Sequence, residues 1–123
     1  MESAQDVMSL VKEKLDEGGL VKYALLFGSF ARGKAKAESD VDIAVAADHA
    51  IPVDILVDLG LELSDLLTRE VDLIDLMDSH GSSLQEPMMK GIPILLKDPS
   101  VRERLLSRMM REHEDDEIGR AHV

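Results

Sequence analysis

Apolar and charged residues alternate with two different periods along residues 1–112, and the switches between them predict the order of elements. Over residues 4–17, Val7, Met8, Val11 and Leu15 recur at helical spacing with charges between them, and Gly18-Gly19 ends the segment. Val21 to Phe27 is a short, mostly apolar run that predicts a buried strand closed by Gly28. Residues 29–36 read as a short helix or turn, and Val41 to Ala46 as a second strand. From Val53 to Leu67 an apolar stripe passes through Val53, Leu56, Val57, Leu63 and Leu67. Ile55, Leu59 and Leu66 widen it, which predicts a well-buried amphipathic helix that tolerates Gly60. Val71 to Met77 predicts a third strand, apolar on both faces apart from its carboxylates and therefore expected in the middle of a sheet. Residues 82–90 predict a short helix broken or bent at Pro87, and Ile92 to Leu96 a fourth, edge strand containing Pro93. Asp98-Pro99 opens a last helix carrying Val101, Leu105, Leu106 and Met109; proline suits the first helical position, where its missing N–H has no intrahelical partner to lose.

Beyond Met110 the pattern gives way to charge, Arg111 to Glu117, which cannot bury a face. The expected division is one domain over residues 1–112 and an acidic, flexible tail over 113–123.

Composition narrows the field. A chain of 123 residues sustains a single modest core. With Tyr23, Phe27 and Phe30 its only aromatics, that core must be aliphatic. The absence of cysteine excludes a disulfide scaffold, a cysteine zinc site and a thiol nucleophile. No apolar run is long enough for a membrane span, and the N-terminus has no basic-then-hydrophobic pattern, so the expected address is the cytoplasm without membrane association. With 25 acidic against 14 basic residues, the net charge of −11 disfavours direct nucleic-acid binding and template-directed polymerisation. It suits an enzyme, or a partner of basic character.

One segment carries the chemistry: Gly28-Ser29-Phe30-Ala31-Arg32-Gly33, followed by Ser39-Asp40-Val41-Asp42. Gly28 permits a sharp turn and close approach to the backbone. Ser29 stands where a helix would begin, a geometry that suits a phosphate. Asp40 and Asp42 are two apart at the start of a strand, so both carboxylates project to one side. Ionised neighbours repel unless a cation sits between them, and Mg²⁺, which shares oxygen ligands with substrate phosphates, is the natural one. Asp72 would complete a trio if its strand paired beside that of Asp40 and Asp42. Three aspartates and a phosphate-binding turn fit two-metal phosphoryl or nucleotidyl transfer. Asp75, of opposite strand parity, is expected to face away in a solvated or structural role. His49, His80, His113 and His122 show no metal-ligand spacing and read as surface residues, and the methionines as core or interface filler. Lys34 and Lys36 read equally well as a solvated turn or as phosphate-steering charges.

Gly28-Ser29, ten intervening residues, Asp40, one residue, Asp42, together with Val71-Asp72-Leu73-Ile74-Asp75-Leu76, resembles the signature of the polymerase-β-type nucleotidyltransferase superfamily. The short chain and the form Gly-Ser-Phe-Ala-Arg-Gly resemble its minimal nucleotidyltransferase branch. The resemblance implies an α/β two-layer domain with a mixed, mostly antiparallel sheet of about four strands and helices chiefly on one face. It implies AMP transfer from ATP, with Gly28, Ser29 and Arg32 binding the nucleotide. Asp40, Asp42 and Asp72 would be the catalytic carboxylates and the ligands of a pair of Mg²⁺ ions. Many minimal members are antitoxins that AMPylate a tyrosine of a HEPN toxin encoded beside them, so the expected partner is such a toxin, with a homodimer or a hetero-oligomer as the assembly. Two alternatives stand beside this reading: an antitoxin that masks its toxin by contact alone, and nucleotidyl transfer to a small molecule such as an aminoglycoside.

Overall fold

A computed structural model describes residues 3–36 and 39–121, with side chains as far as His113. Helix α1, Ala4–Gly18, begins with a reciprocal cap: the Asp6 N–H donates to the Ser3 hydroxyl at 3.2 Å, and the Ser3 N–H to the Asp6 carboxylate at 3.3 Å. It buries Val7, Val11 and Leu15 and ends on Gly19 in the left-handed region. Strand β1 is Tyr23–Phe27, two residues shorter than its apolar run. Then come the single helical turn α2 (Gly28–Ala31), β2 (Val41–Ala46), α3 (Val53–Leu67) and β3 (Val71–Asp75). A 3₁₀ turn over Leu76–Asp78, where the sequence suggested more strand, leads to α4 (Ser82–Lys90), β4 (Ile92–Leu96) and α5 (Pro99–Ala121). Pro87 lies inside α4 without ending it, buried with Leu84 against the sheet. The acidic run after Met110 continues as helix backbone to Ala121; its side chains beyond His113, and His122 and Val123, lie outside the described residues. Among the described residues no helix is long and apolar enough to cross a membrane.

The sheet has four strands in the order β3-β2-β1-β4. β1 pairs antiparallel with both β2 and β4, and β2 pairs parallel with β3, so the sheet is mixed and mostly antiparallel as expected. Alternation along the strands creates two cores. Ala24, Leu26, Ile43 and Val45 pack under α1 and α3, while Tyr23, Leu25, Ala44 and Ala46 meet Leu84 of α4 and Val101 and Leu105 of α5. Helices therefore cover both faces, which corrects the expectation of helices chiefly on one. The element order could not say on which side the C-terminal pair would cross.

Two further expectations change. β3 is an edge strand, not a central one, and Asp72 is exposed. Its runs of Leu and Ile reflect cover from α3 on one face and the 3₁₀ turn on the other, not flanking strands. Helix α3 is not well buried: only Leu63 and Leu67 are sequestered, while Val53, Val57 and Leu61 are 75%, 53% and 61% exposed. Its apolar arc is wider than the sheet margin beneath it.

Asp75, of opposite parity to Asp72, is the one buried charged side chain among the described residues. Its carboxylate accepts the Ile51 N–H at 2.7 Å and the Met77 N–H at 3.0 Å, joining the β2–α3 connection to the end of β3. The structural alternative holds over the solvated one. Asp75→Ala is expected to cost about 3 kcal/mol in chemical denaturation, because two backbone donors lose a charged acceptor. A cost below about 1 kcal/mol would show that water replaces it.

Candidate active site

The site is assembled where β1 turns into α2. Gly28 has φ +71°, and Phe27 stands opposite Asp42 in the antiparallel register, so the glycine lies against the Asp42 side chain. A Cβ at position 28 would overlap Asp42 Oδ2. Glycine is thus required twice, by the backbone and by the carboxylate. The turn beyond it is closed by Arg32 N–H to Gly28 O at 3.1 Å and Lys34 N–H to Ser29 O at 2.9 Å, and is anchored by the buried Phe30. Ser29 is half-buried in this turn, and Arg32 points outward in an ion pair with Glu86 of α4 at 3.8 Å.

The parallel pairing of β2 with β3 sets Asp72 directly beside Asp42. Strand parity puts both, with Phe27, on the face shared with α4. Asp40 precedes β2 at the end of a segment held by Arg69, whose guanidinium donates to Lys36 O at 3.3 Å and Ser39 O at 3.1 Å and lies over the Phe30 ring at 5.1 Å. Burial pushes the Asp42 carboxyl above the ordinary carboxylate range; Asp72, Asp40 and Glu86 raise it further, and Arg32 opposes them. The residues singled out in the sequence therefore form one neighbourhood, with Asp72 and Asp40 exposed at its margin. Glu86 and Arg69 were not anticipated: neither lies in the motif, and only the packing of α4 and of the α3–β3 turn brings them in. A cleft of about 350 Å³ continues from Asp72 and Phe27 past Ile74 and Asp78 to Glu86 and Pro87.

The donor set is all oxygen and all acidic, the chemistry that a hard divalent cation prefers. Asp40 and Asp72, whose charges raise the Asp42 carboxyl, beside a glycine cradle that a Cβ would fill, fit such an ion. Among the described residues no three His, Asp or Glu side chains stand around a common point.

A raised carboxyl pKa means that ionisation of Asp42 costs the folded state, so stability present in acid is lost as pH rises through the raised value. In buffer freed of divalent cations, Asp42→Asn is expected to raise the melting temperature at neutral pH. The gain should vanish below the usual carboxylate range, near pH ~4. An asparagine variant that melts lower than wild type at neutral pH would contradict this.

A mixed sheet that presents strand carboxylates beside a glycine turn is the frame of a nucleotidyltransferase domain. Residues 10–100 match the family described as "Polymerase beta, Nucleotidyltransferase", and the chain belongs to that family. A Methanocaldococcus jannaschii protein, named as a candidate protein adenylyltransferase, is 35% identical over 90 residues, 72% of this chain and 90% of its own. The protein adenylyltransferase MntA of Thermococcus cleftensis is 34% identical over 92 residues, 75% of this chain and 92% of its own. Among solved structures, a toxin-antitoxin crystallised with AMP-PNP superposes with a TM-score of 0.72 at 24% identity, covering 94% of this chain and 92% of that one. That last likeness supports the fold.

Proposed function

We propose that this chain is a protein adenylyltransferase that moves AMP from ATP to a tyrosine hydroxyl of a HEPN toxin, and so acts as its antitoxin. The observation that carries the reading is the parallel pairing that puts Asp72 beside Asp42 under the Gly28 turn. The names of the relatives agree with it, as does a solved complex of a tri-AMPylated Shewanella oneidensis HEPN toxin with its MNT antitoxin, similar in fold at a TM-score of 0.64.

In this reading Gly28 and Ser29 receive the triphosphate at the turn, and Arg32 exchanges its Glu86 contact for phosphate oxygen. Asp40, Asp42 and Asp72 would hold Mg²⁺, two ions in the family's manner, which when bound neutralises the charge developing on the phosphates. Asp72, on the exposed edge, accepts the proton of the acceptor hydroxyl. The acceptor oxygen bonds to the α-phosphorus as the bond from that phosphorus to the bridging oxygen breaks, and pyrophosphate leaves with the electron pair. We place the reaction in the cytoplasm, where ATP is available. To test the reading, the chain is incubated with ATP, Mg²⁺ and the HEPN protein encoded beside it, and the partner is weighed by mass spectrometry. One or more AMP additions are expected; an unchanged partner mass overturns the proposal.

A further inference from the structure

We propose that the groove between the outer shoulder of α3 and the free edge of β3 is the docking surface for the acceptor protein, which inserts apolar side chains there and sets basic residues on the acidic ridge alongside. The inference rests on the adenylyltransferase reading and adds where the substrate is held.

Val53, Val57 and Leu61 follow one another at four-residue steps along α3 and are the most exposed large apolar side chains of that helix. A groove of about 340 Å³ runs between Val57 and Leu61 on one side and Val71 and Leu73 of β3 on the other. Gly60 adds no side chain to its floor, where a Cβ would meet Leu73 at an ordinary contact distance of 3.8 Å. Asp72 lines both this groove and, on the α4 face toward which its side chain projects, the cleft with Phe27 and Glu86. A chain that leaves the groove across the β3 edge therefore brings a side chain to the carboxylate that takes the acceptor proton. β3 is the sheet's edge, and its outer backbone groups have no neighbouring strand among the described residues.

Charge selects the occupant. Between Val53 and Leu67 the helix carries four acids and no Lys or Arg, in a chain of net charge −11. Asp58 and Glu62 line the α1-facing pocket, where Lys14 pairs with Glu62 at 3.7 Å. That leaves Asp54 and Asp65, with Glu70 lining the groove itself, as the acidic ridge. A second copy of this chain would set one acidic ridge against another, whereas a basic partner gains attraction and steering from the same ridge. The opposite shoulder, with Ile55 and Leu20, is also exposed but faces α1, away from Asp72.

The test measures affinity for the HEPN protein and AMP addition to it, using the full chain. Val57→Lys/Leu61→Lys alters exposed positions, so its melting transition should persist. It should bind at least about tenfold more weakly, the scale of a lost interface anchor, and modify the partner more slowly at low partner concentration, with ATP affinity unchanged. Leu20→Lys/Ile55→Lys should bind as wild type does. Asp65→Arg/Glu70→Arg should weaken binding and flatten its salt dependence. If Val57→Lys/Leu61→Lys binds and modifies like wild type, the groove is not the docking surface, while the adenylyltransferase reading stands. If wild type forms a dimer that this variant dissolves, the groove belongs to a second copy and the proposal fails. If wild type neither binds nor modifies the HEPN protein, both readings fall together.

Discussion

Asp42→Asn is expected to lower the rate of AMP transfer on the order of 10³-fold, the loss typical of removing a group that stabilises charge in a transition state. Of the three carboxylates, Asp42 lies between the other two and has the most to lose, since Asp72 is its register partner and Asp40 is two residues away. An asparagine keeps the shape and removes the charge that balances a cation. The partner protein should still bind, because the docking groove is untouched, and the folded state should gain stability at neutral pH for the reason given by the raised carboxyl pKa. Loss of transfer with gain of stability is a signature that misfolding cannot imitate. Rates of adduct formation, read beside melting curves, check both halves. A variant that keeps more than about a tenth of the wild-type rate would remove Asp42 from the chemistry.

Gly28→Ala is expected to lower transfer on the order of 100-fold, the scale of an ångström-sized misplacement at a reacting centre. The new Cβ would overlap Asp42 Oδ2, so the carboxylate or the turn must move. The backbone also sits at φ +71°, where a side chain adds about 1 kcal/mol of strain. Gly33 supplies the control. Its φ is +69°, but a Cβ there would meet nothing within 4 Å. Gly33→Ala should therefore show comparable strain in a denaturation experiment and keep its transfer rate. Equal activity losses in the two variants would mean that the turn's backbone matters and its contact with Asp42 does not.

The contrast between these two glycines shows how far the sequence could be read. The strand that ends at Gly28, and the strand that begins at Val41 beside Asp40, follow from local pattern, because alternation and turn residues act over a few positions. Helix α3 was also bounded to the residue, Val53 to Leu67. Its burial was not, since an apolar stripe records which side could be covered and not how much surface is there to cover it. The same limit applies to β3. Val71, Leu73 and Ile74 are apolar on both faces whether strands or helices provide the cover, so edge and centre look alike until the parallel pairing with β2 is known. Glu86 and Arg69 lie beyond local reading for a related reason. They come to the site from α4 and from the turn after α3, and a lone acid or base on an amphipathic segment looks the same whether it meets solvent or a partner.

The central claim is that Asp40, Asp42 and Asp72 close around a divalent cation beside the phosphates of a nucleotide held at Gly28 and Ser29. Crystals grown with Mn²⁺ and a non-hydrolysable ATP analogue, measured at the manganese absorption edge, locate that ion directly. The account predicts an anomalous peak bonded to Asp40 and Asp42 carboxylate oxygens and to phosphate oxygen, with Asp72 turned onto the same centre. An ion and nucleotide bound elsewhere, with Asp72 left facing solvent, would contradict it.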